Sequence, residues 1–251
     1  MNLQFISDGP ALLVQNRQNV LVIADLHFGI ETDLAVHGWH FASRSNERLK
    51  RLIDSIKTNS PDLLILLGDV KHNIPETTRQ EYRELPDVFE AIRDLVPFKL
   101  LPGNHDVGIG RFLQEGELLP KKGAIVDGVG YLHGHTIPSS ELLGHLIVAG
   151  HHHPMVSLHD EVGCALRAPA YLLAELIENE PRIEKQNGVW KTTRVLFMPA
   201  FNEYAGFDIL QITKYPFSPL SRSILTEGAE VFLTNGTYIG PASSLEDNVT
   251  T

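Results

Sequence analysis

The sequence predicts an α/β protein with a mixed first half and a strand-rich second half. Three observations carry this. Apolar strand-like runs alternate with amphipathic helical stretches as far as Leu101. Short strand-like runs dominate after about Lys121. Five polar clusters each close an apolar run: Asp25-Leu-His27, Gly68-Asp69, Gly103-Asn104-His105-Asp106, His133-Gly-His135 and Gly150-His151-His152-His153. Strands of one sheet that end together bring such clusters to a common edge, where ligands bind in open α/β sheets. Asp, His and Asn gathered there can hold hard or borderline divalent metals.

Asn19 to Asp25 reads as a buried strand. A helix follows from Ser45 to Thr58, with Ser45 as its cap and Leu49, Leu52, Ile53 and Ile56 on one face. Asn59-Ser60-Pro61 stops it, and Asp62 to Leu67 is the next strand. A second helical stretch runs from Glu76 to Leu95, with Pro86 expected to split or kink it. Phe98 to Leu101 is a further strand, so this alternation implies right-handed crossovers and a largely parallel sheet.

Asp127-Gly128, between Ala124–Val126 and Val129–Leu132, is a hairpin signal. His145 to Ala149, Met155 to His159, Cys164 to Arg167, Val195 to Met198, Phe207 to Ile212 and Glu230 to Thr234 read as strands. Tyr171 to Ile177 reads as one or two helical turns, and Glu180 to Thr193 as an exposed loop. The chain is expected to form a single domain over residues 1–240, with a flexible tail over 241–251 that lacks an apolar pattern.

The 251 residues suffice for a substantial core, and no apolar run is long enough to span a bilayer. The start lacks the basic and apolar regions of a signal peptide, and the one cysteine, Cys164, permits no intrachain disulfide, so a cytoplasmic location is expected. The net charge of −10 argues against a broad duplex-DNA surface. It argues less against a nuclease, because bound metal neutralises carboxylates and attracts phosphate. There is no P-loop, no zinc-ribbon cysteine pair and no serine-hydrolase elbow.

Together and in this order, the five clusters resemble the calcineurin-like metallophosphoesterase superfamily. Its pattern is Asp-x-His, Gly-Asp, Gly-Asn-His-Asp/Glu, a lone His, then Gly-His-x-His, and all of it lies between Asp25 and His153. The resemblance implies a four-layer α/β/β/α sandwich of two mixed β-sheets flanked by helices. It also implies that Asp25, His27 and His153 bind one metal, that Asn104, His133 and His151 bind a second, and that Asp69 bridges them. A shared carboxylate offsets the repulsion of two dications about 3.5–4 Å apart. With no thiolate on offer a soft-metal site is not expected; the resemblance implies manganese, with iron, zinc or magnesium as alternatives. The implied reaction is attack on phosphorus by a metal-bridging hydroxide. His105, a non-ligand, then stabilises the transition state or protonates the leaving oxygen, and Asp106 orients His105.

Gly68-Asp-Val-Lys-His72, with Ala24-Asp-Leu-His-Phe-Gly29 and Glu31, resembles a narrower group. It holds archaeal phosphoesterases related to recombination-repair nucleases and bacterial ligase-associated metallophosphoesterases. That resemblance implies a manganese-dependent phosphodiesterase or nuclease acting on DNA, single-stranded DNA included, with a DNA-repair helicase or ligase as partner. The alternatives are a phosphatase or phosphodiesterase for small nucleotides and a non-catalytic scaffold; retention of His105 and every expected ligand argues against the scaffold.

Lys71, His72 and His135 are the candidate substrate contacts, with His133 preferred over His135 as the ligand. Arg44, Arg48, Lys50 and Arg51 either guide a nucleic-acid strand or form a solvated helix face, the more frequent case. His152 is expected to point away from the metals, and His37, His40, His145 and His159 to be surface or core residues. Cys164 is expected to be packed. Trp39 is read as buried near the site, with base stacking as the alternative, and Asn202 and Tyr204 as peripheral.

Overall fold

A computed structural model describes residues 1–39, 42–159, 165–177, 183 and 190–245. The first sheet is β1 (Asn2–Ile6), β2 (Ala11–Gln15), β3 (Asn19–Ile23), β4 (Leu63–Leu66) and β5 (Phe98–Leu100), in that spatial order. β1, β2 and β3 form an antiparallel meander, and β4 and β5 add in parallel. The parallel part matches the crossover pattern expected from sequence. β1 and β2 were not foreseen, because a hairpin that completes a sheet edge leaves no polar cluster behind it.

Strand alternation assigns the two faces. Val20, Val22 and Ile65 join an apolar cluster with Tyr131, Ile147 and Val195 of the second sheet. Leu21, Ile23, Leu64 and Leu66 face the other way, onto helices. Burial on both faces explains why β3 and β4 read as unbroken apolar runs. The helices are α1 (Ile30–Val36), α2 (Ser45–Asn59) and α3 (Arg79–Arg93). α2 contributes Leu52 and Ile56 to this layer, and α3 contributes Leu85, Val88, Phe89 and Ile92.

Helix starts differ from expectation. Ser45 is the first helical residue of α2 and Arg44 occupies the cap, without a side-chain hydrogen bond. α3 begins with a full capping box: Thr78 accepts from the Glu81 amide, and Glu81 accepts from the Thr78 amide. Pro86 neither splits nor ends α3, which runs on to Arg93 with that ring on its exposed side.

The second sheet comprises β6 (Ala124–Val126), β7 (Val129–Leu132), β8 (Leu146–Ala149), β9 (Pro154–His159), β10 (Ala165–Leu176), β11 (Arg194–Phe197), β12 (Phe207–Asp208), β13 (Ile224–Leu233) and β14 (Tyr238–Pro241). The spatial order is β12-β9-β10-β11-β8-β7-β6, with β13 pairing β10 and β14. β7, β8 and β11 are mutually parallel, so this sheet is mixed as well. The Asp127-Gly128 hairpin forms as expected, with φ of 49° and 81° matching a type I′ turn. Asp127 also accepts from the Arg17 and Gln18 amides (2.8 and 3.2 Å), tying the hairpin to the first sheet.

Two short assignments are corrected. Tyr171 to Leu176 belongs to β10 rather than a helix; so short an apolar run does not reveal its period. The Tyr171 hydroxyl donates to the Ala11 carbonyl across the core (2.8 Å). The run Phe207 to Ile212 breaks after two residues, because the Asp208 carboxylate caps α4 (Ile209–Thr213) by accepting from Leu210 (2.9 Å). α4 packs against β9, β12 and a closing 3₁₀ turn, Ala242–Leu245.

The tail expected to be loose from Pro241 is therefore ordered through Leu245, with Ala242 and Leu245 buried. Residues 246–251, His40, Cys164 and most of the Glu180–Thr193 loop lie outside the described residues, as does the His159 side chain. Among the described residues no helix is long and apolar enough to cross a membrane.

Glu81 matters beyond its helix. Buried, it also accepts from the His72 and Asn73 amides (2.9 and 2.8 Å), so one carboxylate holds α3 and the 72–78 loop together. Glu81→Ala strands those donors. It is expected to lower unfolding free energy by about 2–4 kcal/mol, read from urea denaturation. A change under about 0.5 kcal/mol would show that the loop does not depend on it.

Candidate metal centre

The five clusters follow β3, β4, β5, β7 and β8, and their loops meet where the parallel strands of both sheets end. The backbone there is unusual. Among the described residues seven non-glycine residues have positive φ, and five of them are Asp25, His27, Asp69, His151 and His153. Such conformations cost about 1–3 kcal/mol each and persist only where the surroundings enforce them. Enforcement is visible: the amides of Asp25, His27 and Phe28 donate to the carbonyls of Gly68, Asp69 and Val70 (3.2, 2.8 and 2.8 Å). The His151 amide donates to the Asp25 carboxylate (3.0 Å). Gly103 passes so close that a β-carbon would collide with the Asp69 carboxylate.

Two groups of ligand atoms result, each with its members within 4.8 Å of one another: Asp25, His27 and His153, and Asp69, His133 and His151; a third set, His27, His72 and His105, shares His27 with the first. The Asn104 Oδ1 lies 3.2 Å from His133 Nε2, in the second group. Asp69 Oδ2 is 3.3 Å from His133 Nε2 and 3.9 Å from both His27 Nε2 and His105 Nε2, so one oxygen faces both groups. Its other oxygen, Oδ1, accepts from the His105 amide (2.8 Å).

The donor set fits a cation. The ring Nδ1–H of His133 donates to the Leu67 carbonyl (2.6 Å), so Nε2 faces the Asp69 and Asn104 oxygens, both acceptors. With the Asn104 oxygen facing inward, a proton or a cation between them reconciles those three atoms. His153 Nε2 is buried without a hydrogen-bond partner, 3.1 Å from Asp25 Oδ1. Carboxylate, amide and imidazole donors without thiolate suit borderline dications.

Protonation agrees with that fit. Burial, then neighbouring His153, push His27 well below its usual value. Burial and His133 push His151 down to about 2. Burial resists charge on Asp69, but His133, His27 and His105 hold its carboxyl well below the carboxylate range. Burial likewise opposes charge on His133, yet Asp69 wins and raises it to about 9. Except at His133, which a cation would have to deprotonate, these are the forms that ligate.

His105 sits at the edge of the centre. Its Nδ1–H donates to the His72 carbonyl, which leaves Nε2 facing Asp69 and the cleft. Asp106 does not orient that ring. Its buried carboxylate accepts instead from the amides of Val70, Lys71 and Gly103 (2.9, 3.3 and 2.9 Å), bracing two metal-bearing loops. Burial and nearby Asp69 push Asp106 up to about 6.

Lys71 is also corrected as a substrate contact. It is fully buried, and its ammonium donates to the Asn73 and Glu76 carbonyls. His72 lies beside the centre, with Nδ1 3.2 Å from His27 Nδ1 and Nε2 3.6 Å from Asp33 Oδ2. Asp33 favours a proton on His72 Nε2, so His72 Nδ1 accepts from His27 and leaves His27 Nε2 bare toward the cleft. This is the orientation a ligating histidine needs. His135 lines the centre beside His133 and His151 (5.2 and 6.0 Å between rings), and burial lowers it to about 4.

The cations of the basic stretch at α2 are all paired with carboxylates. Arg44 pairs with Glu47 and Glu203, Lys50 with Asp54, and Arg51 with Glu203. Arg48 is fully buried between Glu31 and Glu203 (3.2 Å to each). Trp39 is 63% exposed rather than buried. His152 turns into the core as expected, while His37 and His145 are surface residues.

Asn202 is the residue that sequence reasoning undervalued. It is buried; its side-chain amide donates to the Leu26 and His27 carbonyls (2.9 and 3.4 Å), and its backbone amide donates to Asp25 (3.2 Å). It therefore clamps the first metal loop from the far half of the chain. No local spacing announces such a role.

The model of one protein family, described as calcineurin-like phosphoesterase, matches residues 18–189, which contain all five clusters. Among solved structures, the chain is similar to nuclease MPE from Pseudomonas putida, at 19% identity over 93% of this chain and 98% of that one, with a TM-score of 0.51. It is similar to YfcE, a phosphoesterase from E. coli, at 18% identity over 56% and 73% of the two chains, with a TM-score of 0.35. The protein of unknown function AQ665 from Aquifex aeolicus matches at 19% identity over 67% and 88%, with a TM-score of 0.35. No curated protein matches the sequence. At these identities the likeness is one of fold.

Proposed function

The chain belongs to the calcineurin-like phosphoesterase family and is a metal-dependent phosphoester hydrolase, and from that premise we propose that it is a phosphodiesterase cleaving single-stranded DNA. We assign Asp25, His27 and His153 to one cation, Asn104, His133 and His151 to another, and Asp69 to both. The observation that carries this is the Asp69 Oδ2 position, facing histidines of both groups. Manganese is the proposed metal.

Bound dications supply Lewis acidity, offsetting phosphoryl charge and lowering the pKa of water. The chain does the rest. Neutral Asn and His donors leave the loaded site net positive, which suits a phosphate anion. Asp25 and Asp69 are held in place by backbone amides, so the site is preorganised. His105, fixed through its Nδ1–H, can deliver a proton from Nε2 to the departing oxygen. The nuclease-like fold supports the diester side of this reading, and the sequence resemblance adds a repair helicase or ligase as partner.

The test is a substrate panel with manganese: an aryl phosphomonoester, an aryl phosphodiester, cyclic nucleotides, and single- and double-stranded DNA. Turnover of the diester and of single strands is expected, with loss on chelation and recovery on adding manganese back. Turnover confined to monoesters would defeat the diester assignment.

A further inference from the structure

Two half-exposed phenyl rings flank the centre, and nothing in the reaction above uses them. The Phe207 amide donates to the His153 carbonyl (2.9 Å), and its ring stacks on the His153 imidazole at 5.7 Å and 22°. Phe217 lies against His151 (5.7 Å) and against Phe207 (5.3 Å). The pair thus touches one histidine from each ligand group, yet the rings are 40% and 41% exposed.

The pair is held in place. His152 is buried, donates through Nδ1 to the Gly150 carbonyl (2.9 Å), and so accepts at Nε2 from the Ser218 hydroxyl (2.7 Å). The Ser218 amide in turn donates to Ser221 Oγ (3.0 Å), closing the turn that follows Phe217. His152 also packs on Phe217 (5.2 Å). The one histidine of its cluster that faces away from the cations therefore pins this phenyl to the metal loop.

We propose that Phe207 and Phe217 form a stacking platform for the unpaired base beside the scissile phosphate. This rests on the phosphodiesterase reading above. A nucleoside hangs one sugar from its phosphate, so a phosphate held by both ligand groups carries its base across these rings. Base–aromatic stacking is strong and tolerant of sequence. Charge points the same way: the protein carries −10, and every cation of the basic stretch on α2 already faces a carboxylate. Stacking replaces the electrostatic grip that such a surface lacks. Duplex bases, already stacked on one another, offer no free face, so the platform selects single strands.

The experiment uses the full chain loaded with manganese in a His105→Ala background, which separates binding from turnover. Equilibrium affinity is read by fluorescence anisotropy for labelled oligo-dT and for an abasic strand of equal length. A preference for oligo-dT on the order of tenfold is expected. Phe207→Leu with Phe217→Leu should bring the ratio near one, while Phe217→Trp should keep it and show indole quenching on binding. No preference in the parent, or a preference that survives both leucines, overturns the platform. Hydrolysis by the chain with His105 intact is scored separately. A preference lost in the leucine variants without diester hydrolysis removes the reading and keeps the platform; hydrolysis with a ratio of one does the reverse.

Discussion

Asp69→Ala is expected to reduce diester turnover by at least about 10³-fold and to lower bound metal by one equivalent or more. The physical reason lies in one oxygen. Asp69 Oδ2 faces His133, His27 and His105 at 3.3–3.9 Å, so this one carboxylate oxygen stands between the two ligand groups. Without it, two dications repel one another without an intervening anion. Losing one forfeits several kcal/mol of charge stabilisation in the transition state, and each 1.4 kcal/mol is about tenfold in rate. Asp69→Asn separates charge from shape, since an amide oxygen still accepts from the His105 backbone. Metal content by elemental analysis and rate on an aryl diester together check the prediction. Full metal content and near-normal turnover in Asp69→Ala would remove the bridging role.

His105→Ala is the second large effect, with a different signature. Its ring is tied through Nδ1–H to the His72 carbonyl and meets the ligand groups only at their edge, 3.9 Å from Asp69 Oδ2 and edge-on to His27. Metal content should therefore stay intact. Turnover of DNA, whose leaving group is a basic alkoxide, should fall by roughly 10²–10⁴-fold. A nitrophenyl diester departs without a proton and should suffer much less. Equal losses on both substrates would mean that the ring stabilises phosphoryl charge rather than donating a proton.

The five clusters were legible because each closes an apolar run, and β-strands deliver their ends to one place. The family resemblance, not that rule, singled out Asp25, His27, Asp69, Asn104, His133, His151 and His153 within them as candidate ligands, and these side chains lie near one another. What sequence did not reveal was the bracing. Lys71 and Asp106 look like site chemistry by position, yet both satisfy backbone groups in buried loops. A buried ionised side chain next to a motif is indistinguishable in sequence from an exposed one. Arg48 is the same case on α2: its spacing places it on the helix face that also carries Leu52 and Ile56, but charge suggested solvent. Glu81 could have been found, since Thr78-x-x-Glu81 is a capping signature.

The Asn202 clamp has a consequence for truncated chains. The Asp25–His27 loop precedes it by some 175 positions, so the two are joined only when both halves of the chain are present. A chain cut short before Asn202 is expected to leave the Leu26 and His27 carbonyls without their side-chain donor, and the loop without its clamp.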